Sequence, residues 1–120
     1  MLKKIEAFID HLQFERNASP HTLDAYRRNL LQFYAHMQET GISFSRIDNM
    51  VIRSFLAALY RRQEKKSTIA RKLAALRSFF QFCVQKKWLK DNPAKVVATP
   101  RQDKHVPSFL SEEEMAGLLA

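Results

Sequence analysis

The residue types that could hold a metal or attack an electrophile are few and scattered. Four histidines stand at positions 11, 21, 36 and 105, and none belongs to a His-Glu-x-x-His or Cys-x-x-Cys arrangement that would put ligands on one face. The single cysteine, Cys83, cannot form an internal disulfide and lies in an apolar helical stretch, where a small buried hydrophobe is the ordinary reading. Gly41 and Gly117 are the two glycines, so there is no glycine-rich phosphate loop and no nucleophile elbow. Glu112, Glu113 and Glu114 sit at a helix start, where the dipole accounts for them without catalysis. No catalytic residue, metal or cofactor is expected.

The basic residues remain. Lys and Arg number 20 against 12 Asp and Glu, a net charge of +8. Arg61 to Lys104 holds 13 basic residues and three acids (Glu64, Asp91, Asp103), a local +10, whereas the rest of the chain carries 7 basic and 9 acidic residues, or −2. Charge concentrated in this way suits a polyanionic partner, with DNA, RNA, a membrane surface and an acidic protein all open on charge alone.

Such a surface needs rigid elements to carry it. A length of 120 residues suits one domain plus tails, and an apolar share of 46% with two Gly and four Pro predicts a packed, helix-rich chain. No stretch approaches the ~20 apolar residues that span a bilayer, and Met1-Leu2-Lys3-Lys4 runs into an amphipathic pattern without a signal core, so a cytoplasmic protein is expected.

Leu2, Ile5, Phe8, Ile9 and Leu12 predict a first helix from Leu2 to Glu15. Ser19-Pro20 starts a second, with Leu23, Tyr26, Leu30, Phe33, Tyr34 and Met37 inward and Gly41 as a left-handed cap. Asp48 caps a third carrying Val51, Ile52, Phe55, Leu56 and Leu59, which ends in the basic run Arg61 to Lys66. Ser67 is expected to cap a fourth, with Ile69, Leu73, Leu76, Phe80 and Cys83 on its inner stripe, stopped at Asp91-Asn92-Pro93. Residues 98–108 suggest an extended linker. Ser111-Glu112-Glu113-Glu114 then opens another helix that the sequence does not complete, as in a truncated chain.

Turning about 100° per residue, the fourth helix presents Ser67, Arg71, Ala74, Ala75, Ser78, Gln81 and Gln85 opposite its stripe. Arg71 could reach a phosphate or a guanine edge and Gln81 an adenine, while the small residues let the backbone lie deep in a groove. An ordinary solvated helix face is an equal reading. Lys72 and Arg77 flank the face and could grip phosphates or snorkel over the core. The second helix repeats the division with His21, Ala25, Arg28 and Gln32 outward and Thr22 and Asn29 beside them. Its amides near Ser19 and Thr22 form an anion site. Tyr26 is expected to pack its ring and turn its hydroxyl outward. Phe82 falls on the outer side, which suggests contact with another protomer or a broadened core. A change at Arg71 is expected to weaken binding more than one at Arg16.

Ser19-Pro20-His21-Thr22, Tyr26, Leu30 and Phe33, then Leu73-Ala74-Ala75-Leu76-Arg77-Ser78-Phe79-Phe80 and Asn92-Pro93-Ala94, together resemble the N-terminal core-binding (SAM-like) domain of the tyrosine recombinases of the XerC/XerD type. Val106-Pro107-Ser108-Phe109-Leu110-Ser111 resembles the junction where that family's catalytic domain begins. The resemblance implies an all-α four-helix bundle of two crossed helical hairpins at 1–97, a linker at 98–108 and the start of a catalytic domain at 109–120. It also implies that the second and fourth helices face duplex DNA. The residue set expected at that contact is Ser19, His21, Thr22, Tyr26, Arg28, Ser67, Thr68, Arg71, Lys72, Arg77 and Gln81. Strand cleavage in the family uses a Tyr with Arg, Lys and His partners from the catalytic domain. Tyr26, Tyr34 and Tyr60 match none of those positions, so this chain should bind and not cut. The intact protein would exchange strands through a phosphotyrosine beside further protomers, without metal or nucleotide, in a role such as chromosome dimer resolution.

Two other readings compete. One is a helical module that binds an acidic protein or joins subunits, supported by Phe82 and the uncompleted last helix. The other is a compact helix-turn-helix regulator, against which the connection from Glu39 to Asp48 is too long for the tight turn of that motif.

Overall fold

The computed structural model describes residues 1–99. Within them the chain forms four α-helices and no strand: α1 (Leu2–Phe14), α2 (Pro20–Thr40), α3 (Asn49–Arg61) and α4 (Lys66–Gln85), with a 3₁₀ turn at Phe44–Arg46. The linker from residue 100, His105, and the helix expected at Ser111 lie outside the described residues.

Local signals set the helix ends. The Ser19 hydroxyl accepts the Thr22 amide at 3.2 Å and Pro20 takes the first helical position, where its missing N–H costs nothing. Gly41 closes α2 at φ 70°, a left-handed cap that a side chain would strain. Asp48 caps α3, accepting the Val51 amide at 3.0 Å. The expectation at α4 is corrected: Lys65 holds the cap position without a side-chain bond, and Ser67 lies inside the first turn. The tight connection after Arg61, with Gln63 at φ 60°, brings the chain into helical geometry before Ser67 is reached.

Consecutive helices joined by short turns pack on each other, α1 on α2 and α3 on α4, and α4 also touches α1 and α2. The seam is aromatic. Phe8 meets Phe79 at 5.7 Å, Phe79 meets Phe80 at 5.2 Å, Phe80 meets Phe33 at 5.9 Å and Phe33 meets Phe55 at 5.2 Å, mostly edge to face. This chain of rings crosses from α1 through α4 and α2 to α3. Each such contact adds roughly 0.5–1.5 kcal/mol to the burial itself, so the seam fixes how α2 stands against α4.

Because α4 has three helical neighbours, it buries more than one stripe. Ala75, expected on the outer face, is 4% exposed. Phe82 is also 4% exposed, held by Phe8 at 5.5 Å, His11 at 5.0 Å and Trp88 at 5.7 Å. Phe82 is therefore core, and the subunit-joining reading loses its support there. The other support, the last helix, lies outside the described residues.

Candidate nucleic-acid interface

The end of α1, the start of α2 and the solvent side of α4 enclose an open groove of about 570 Å³. Phe8 and Phe82 contribute apolar surface; the polar lining comes from His11, Arg16, Thr22, Tyr26, Arg77, Ser78, Gln81, Gln85 and Asn92. Two arginines line it and no carboxylate does, Glu15 lying behind His11 at 3.5 Å from its ring nitrogen. A cleft with cationic walls and no acid raises the local concentration of an anionic ligand.

Four of the expected contact residues meet there: Thr22, Tyr26, Arg77 and Gln81. Thr22 follows Ser19, whose hydroxyl stands 3.0 Å from its own, so Ser19 sits at the rim. The Tyr26 ring packs edge-on against Phe8 at 5.6 Å, and its hydroxyl has no hydrogen-bond partner among the described residues. Arg71 is exposed on α4 seven residues before Ser78, two turns along the same side of the helix. His21 and Arg28 are exposed on α2 and do not line the groove; Ser67 and Thr68 are half-buried in the first turn of α4.

Two of the expected contacts have their charge engaged inside the domain. Lys72 Nζ donates to Glu64 Oε1 at 2.7 Å, with both side chains about four-fifths buried. Arg77 donates to the carbonyls of Ala94 and Val97 and to Thr99 Oγ1. By contrast, the guanidinium groups of Arg16, Arg28 and Arg71 meet no carboxylate among the described residues, while Arg27 is tied to Glu6 at 3.5 Å and Asp24 at 3.8 Å.

Arg16 was not among the expected contacts. It lines the groove because Asn17 takes a left-handed φ of 54° and the Ala18 amide returns to the Leu12 carbonyl at 2.9 Å, folding the end of α1 beside the start of α2. Asn is the residue type other than Gly that best tolerates that conformation, and Asn17 just before Ala18-Ser19-Pro20 was the available signal. Asn92 enters the groove from beyond α4, which no helical period could have indicated.

Nothing else in the described residues forms a chemical site. No group of three His, Cys, Asp or Glu side chains could hold a metal, and no helix is long and apolar enough to cross a membrane. Burial pushes the Cys83 thiol up to about 12, with Lys4 pulling weakly the other way, so it stays protonated at neutral pH. His36 has its pKa lowered, chiefly by burial, opposed by Glu39 and assisted by Arg61. It lines a second groove between α2 and α3 that does contain a carboxylate, Glu39.

A family model described as phage integrase, N-terminal SAM-like domain, matches residues 5–87. The chain is 42% identical over 116 residues to a tyrosine recombinase XerC of Halalkalibacterium halodurans, covering 96% of this chain and 38% of that protein. It is 42% identical over 123 residues to the XerC of Syntrophus aciditrophicus, covering 96% and 40%, and 38% identical over 117 residues to that of Chlorobaculum parvum, covering 92% and 35%. It thus spans about two fifths of the length of these curated relatives. The matched residues run from the first buried position of α1, Ile5, to just past the end of α4, so they take in the whole aromatic seam and the helices that wall the groove; the chain belongs to the phage integrase N-terminal SAM-like domain family.

Proposed function

We propose that this chain is the DNA-binding N-terminal part of a site-specific tyrosine recombinase, and that it holds duplex DNA against the groove between α2 and α4. One observation carries the proposal: three helices converge on a cleft with arginines on its walls and no acid among its lining residues. Arg16, Arg28 and Arg71 neutralise phosphates, and the His21 amide, left unbonded at the start of α2 beside the Ser19 and Thr22 hydroxyls, seats a backbone phosphate. Ser67 and Thr68 do the same at the start of α4. Tyr26 offers its hydroxyl, Gln81 can pair with an adenine edge, and Ser78 lets the helix approach closely. Arg77, bonded to carbonyls and a hydroxyl, keeps its full charge and contributes positive potential, whereas Lys72 is neutralised by Glu64.

The names of the relatives support the wider reading. The intact protein would cut and rejoin DNA through a phosphotyrosine supplied by a catalytic domain that the described residues do not include. It would act in the cytoplasm with further recombinase protomers on the DNA, in chromosome dimer resolution.

Titration of the 120-residue chain with a labelled duplex tests the proposal. Non-specific affinity should fall on the order of 10⁻⁴ to 10⁻⁶ M and weaken steeply as salt rises, because each phosphate contact releases counterions. No binding at low salt, or binding indifferent to salt, refutes it.

A further inference from the structure

The chain beyond α4 folds back on the bundle. Ala94 and Val97 are 0% and 3% exposed, and residues 92–99 are joined to α4 by a reciprocal set of hydrogen bonds centred on Arg77. Its Nε donates to the Ala94 carbonyl at 3.1 Å, its Nη1 to Thr99 Oγ1 at 2.8 Å, and its Nη2 to the Val97 carbonyl. In return Asn92 Nδ2 donates to the Arg77 carbonyl at 3.1 Å, and Asn92 Oδ1 accepts the Ala94 amide at 3.0 Å. One guanidinium thus latches a strap of eight residues at both its middle and its far end.

The same Arg77 and Asn92 line the groove. Of the five N–H donors of a guanidinium, three serve the strap, which leaves two for a ligand. We propose that Arg77 couples the groove to the strap: a phosphate backbone in the groove tightens residues 92–99 onto α4, and the docked strap strengthens the hold on the backbone. Linkage makes the two effects reciprocal, since a ligand that touches Arg77 and Asn92 in their latched positions favours the latched state. Occupancy of the groove therefore fixes where Thr99 sits beside α4. This inference rests on the proposed DNA binding.

Amide hydrogen exchange on the 120-residue chain separates the two. The reporters are the Ala94 and Lys95 amides, bonded to Asn92 Oδ1 and to the Asn92 carbonyl at 3.2 Å. Without DNA, Arg77→Lys keeps the charge but cannot span three acceptors, and should speed their exchange about tenfold. Thr99→Val, which removes one acceptor at the strap's end, should act in the same direction and less strongly, and serves if Arg77→Lys unfolds the bundle. Unchanged exchange in both variants overturns the latch. At saturating duplex the wild-type reporters should slow by about fivefold or more, and Arg77→Lys should lose that response. Duplex binding that leaves the strap unchanged, or speeds it, overturns the coupling. Absence of any duplex binding refutes the proposed function and the coupling together, while the DNA-free comparison still decides the latch.

Discussion

Gln81→Glu places one negative charge on the wall of a groove that has none. The change is nearly isosteric, and Gln81 is exposed and makes no hydrogen bond among the described residues, so the bundle should melt at the wild-type temperature. A carboxylate ~5 Å from a seated phosphate, at an effective dielectric constant of roughly 40–80, repels it by about 0.8–1.7 kcal/mol. That corresponds to roughly 4- to 18-fold weaker binding. Gln38→Glu is the reference. It makes the same change in net charge on exposed α2 surface outside the groove, so it samples only the long-range potential. Fluorescence anisotropy of a labelled duplex at low ionic strength compares the two, and raising the salt should narrow the gap as screening grows. Equal losses in the two variants would mean that the duplex does not lie in this groove, and would refute the reasoning.

Three further outcomes follow from the same geometry. Arg16→Ala and Arg71→Ala should each lower the slope of log affinity against log salt by about 0.9, whereas Lys72→Ala, whose ammonium is already paired with Glu64, should leave the slope unchanged and cost stability in urea unfolding. Phe82→Ala empties the space between Phe8, His11 and Trp88 and should destabilise the fold by about 3–5 kcal/mol, measured by urea midpoint, with no change in oligomeric state on sizing. Cys83 should resist thiol reagents at pH 8 until the chain unfolds. Its native pKa is raised to about 12 from an ordinary 9.0, so above pH 9 the unfolded state sheds a proton that the native state keeps, and stability should fall as pH rises toward 12. Prompt labelling of the folded protein would contradict that burial.

The helices were readable because their signals are local. Ser19, Gly41 and Asp48 act within one turn of their own positions, and the spacing of Ile52, Phe55 and Leu59 repeats the helical period whatever lies opposite. The absence of metal-binding spacings and the crowding of basic residues after Arg61 were equally plain. Where the expectation failed, a distant neighbour intervened. Ala75 and Phe82 were assigned outward by angle from one stripe, but α4 is gripped by three helices, and a helix so placed has no single inner side.

The chain's order of residues thus determined four helices, the ends of the first three and a cationic surplus, all properties set within a few residues along the backbone. Which cations are free was decided in three dimensions. Lys72 finds Glu64 eight residues away, Arg77 finds Val97 twenty residues away, and Arg16 shares a groove with Gln81 from the far side of the bundle. A charge pattern gives the number of positive groups, but packing decides which of them keep unpaired donors, because each internal carboxylate or carbonyl that reaches a cation removes a donor from the surface.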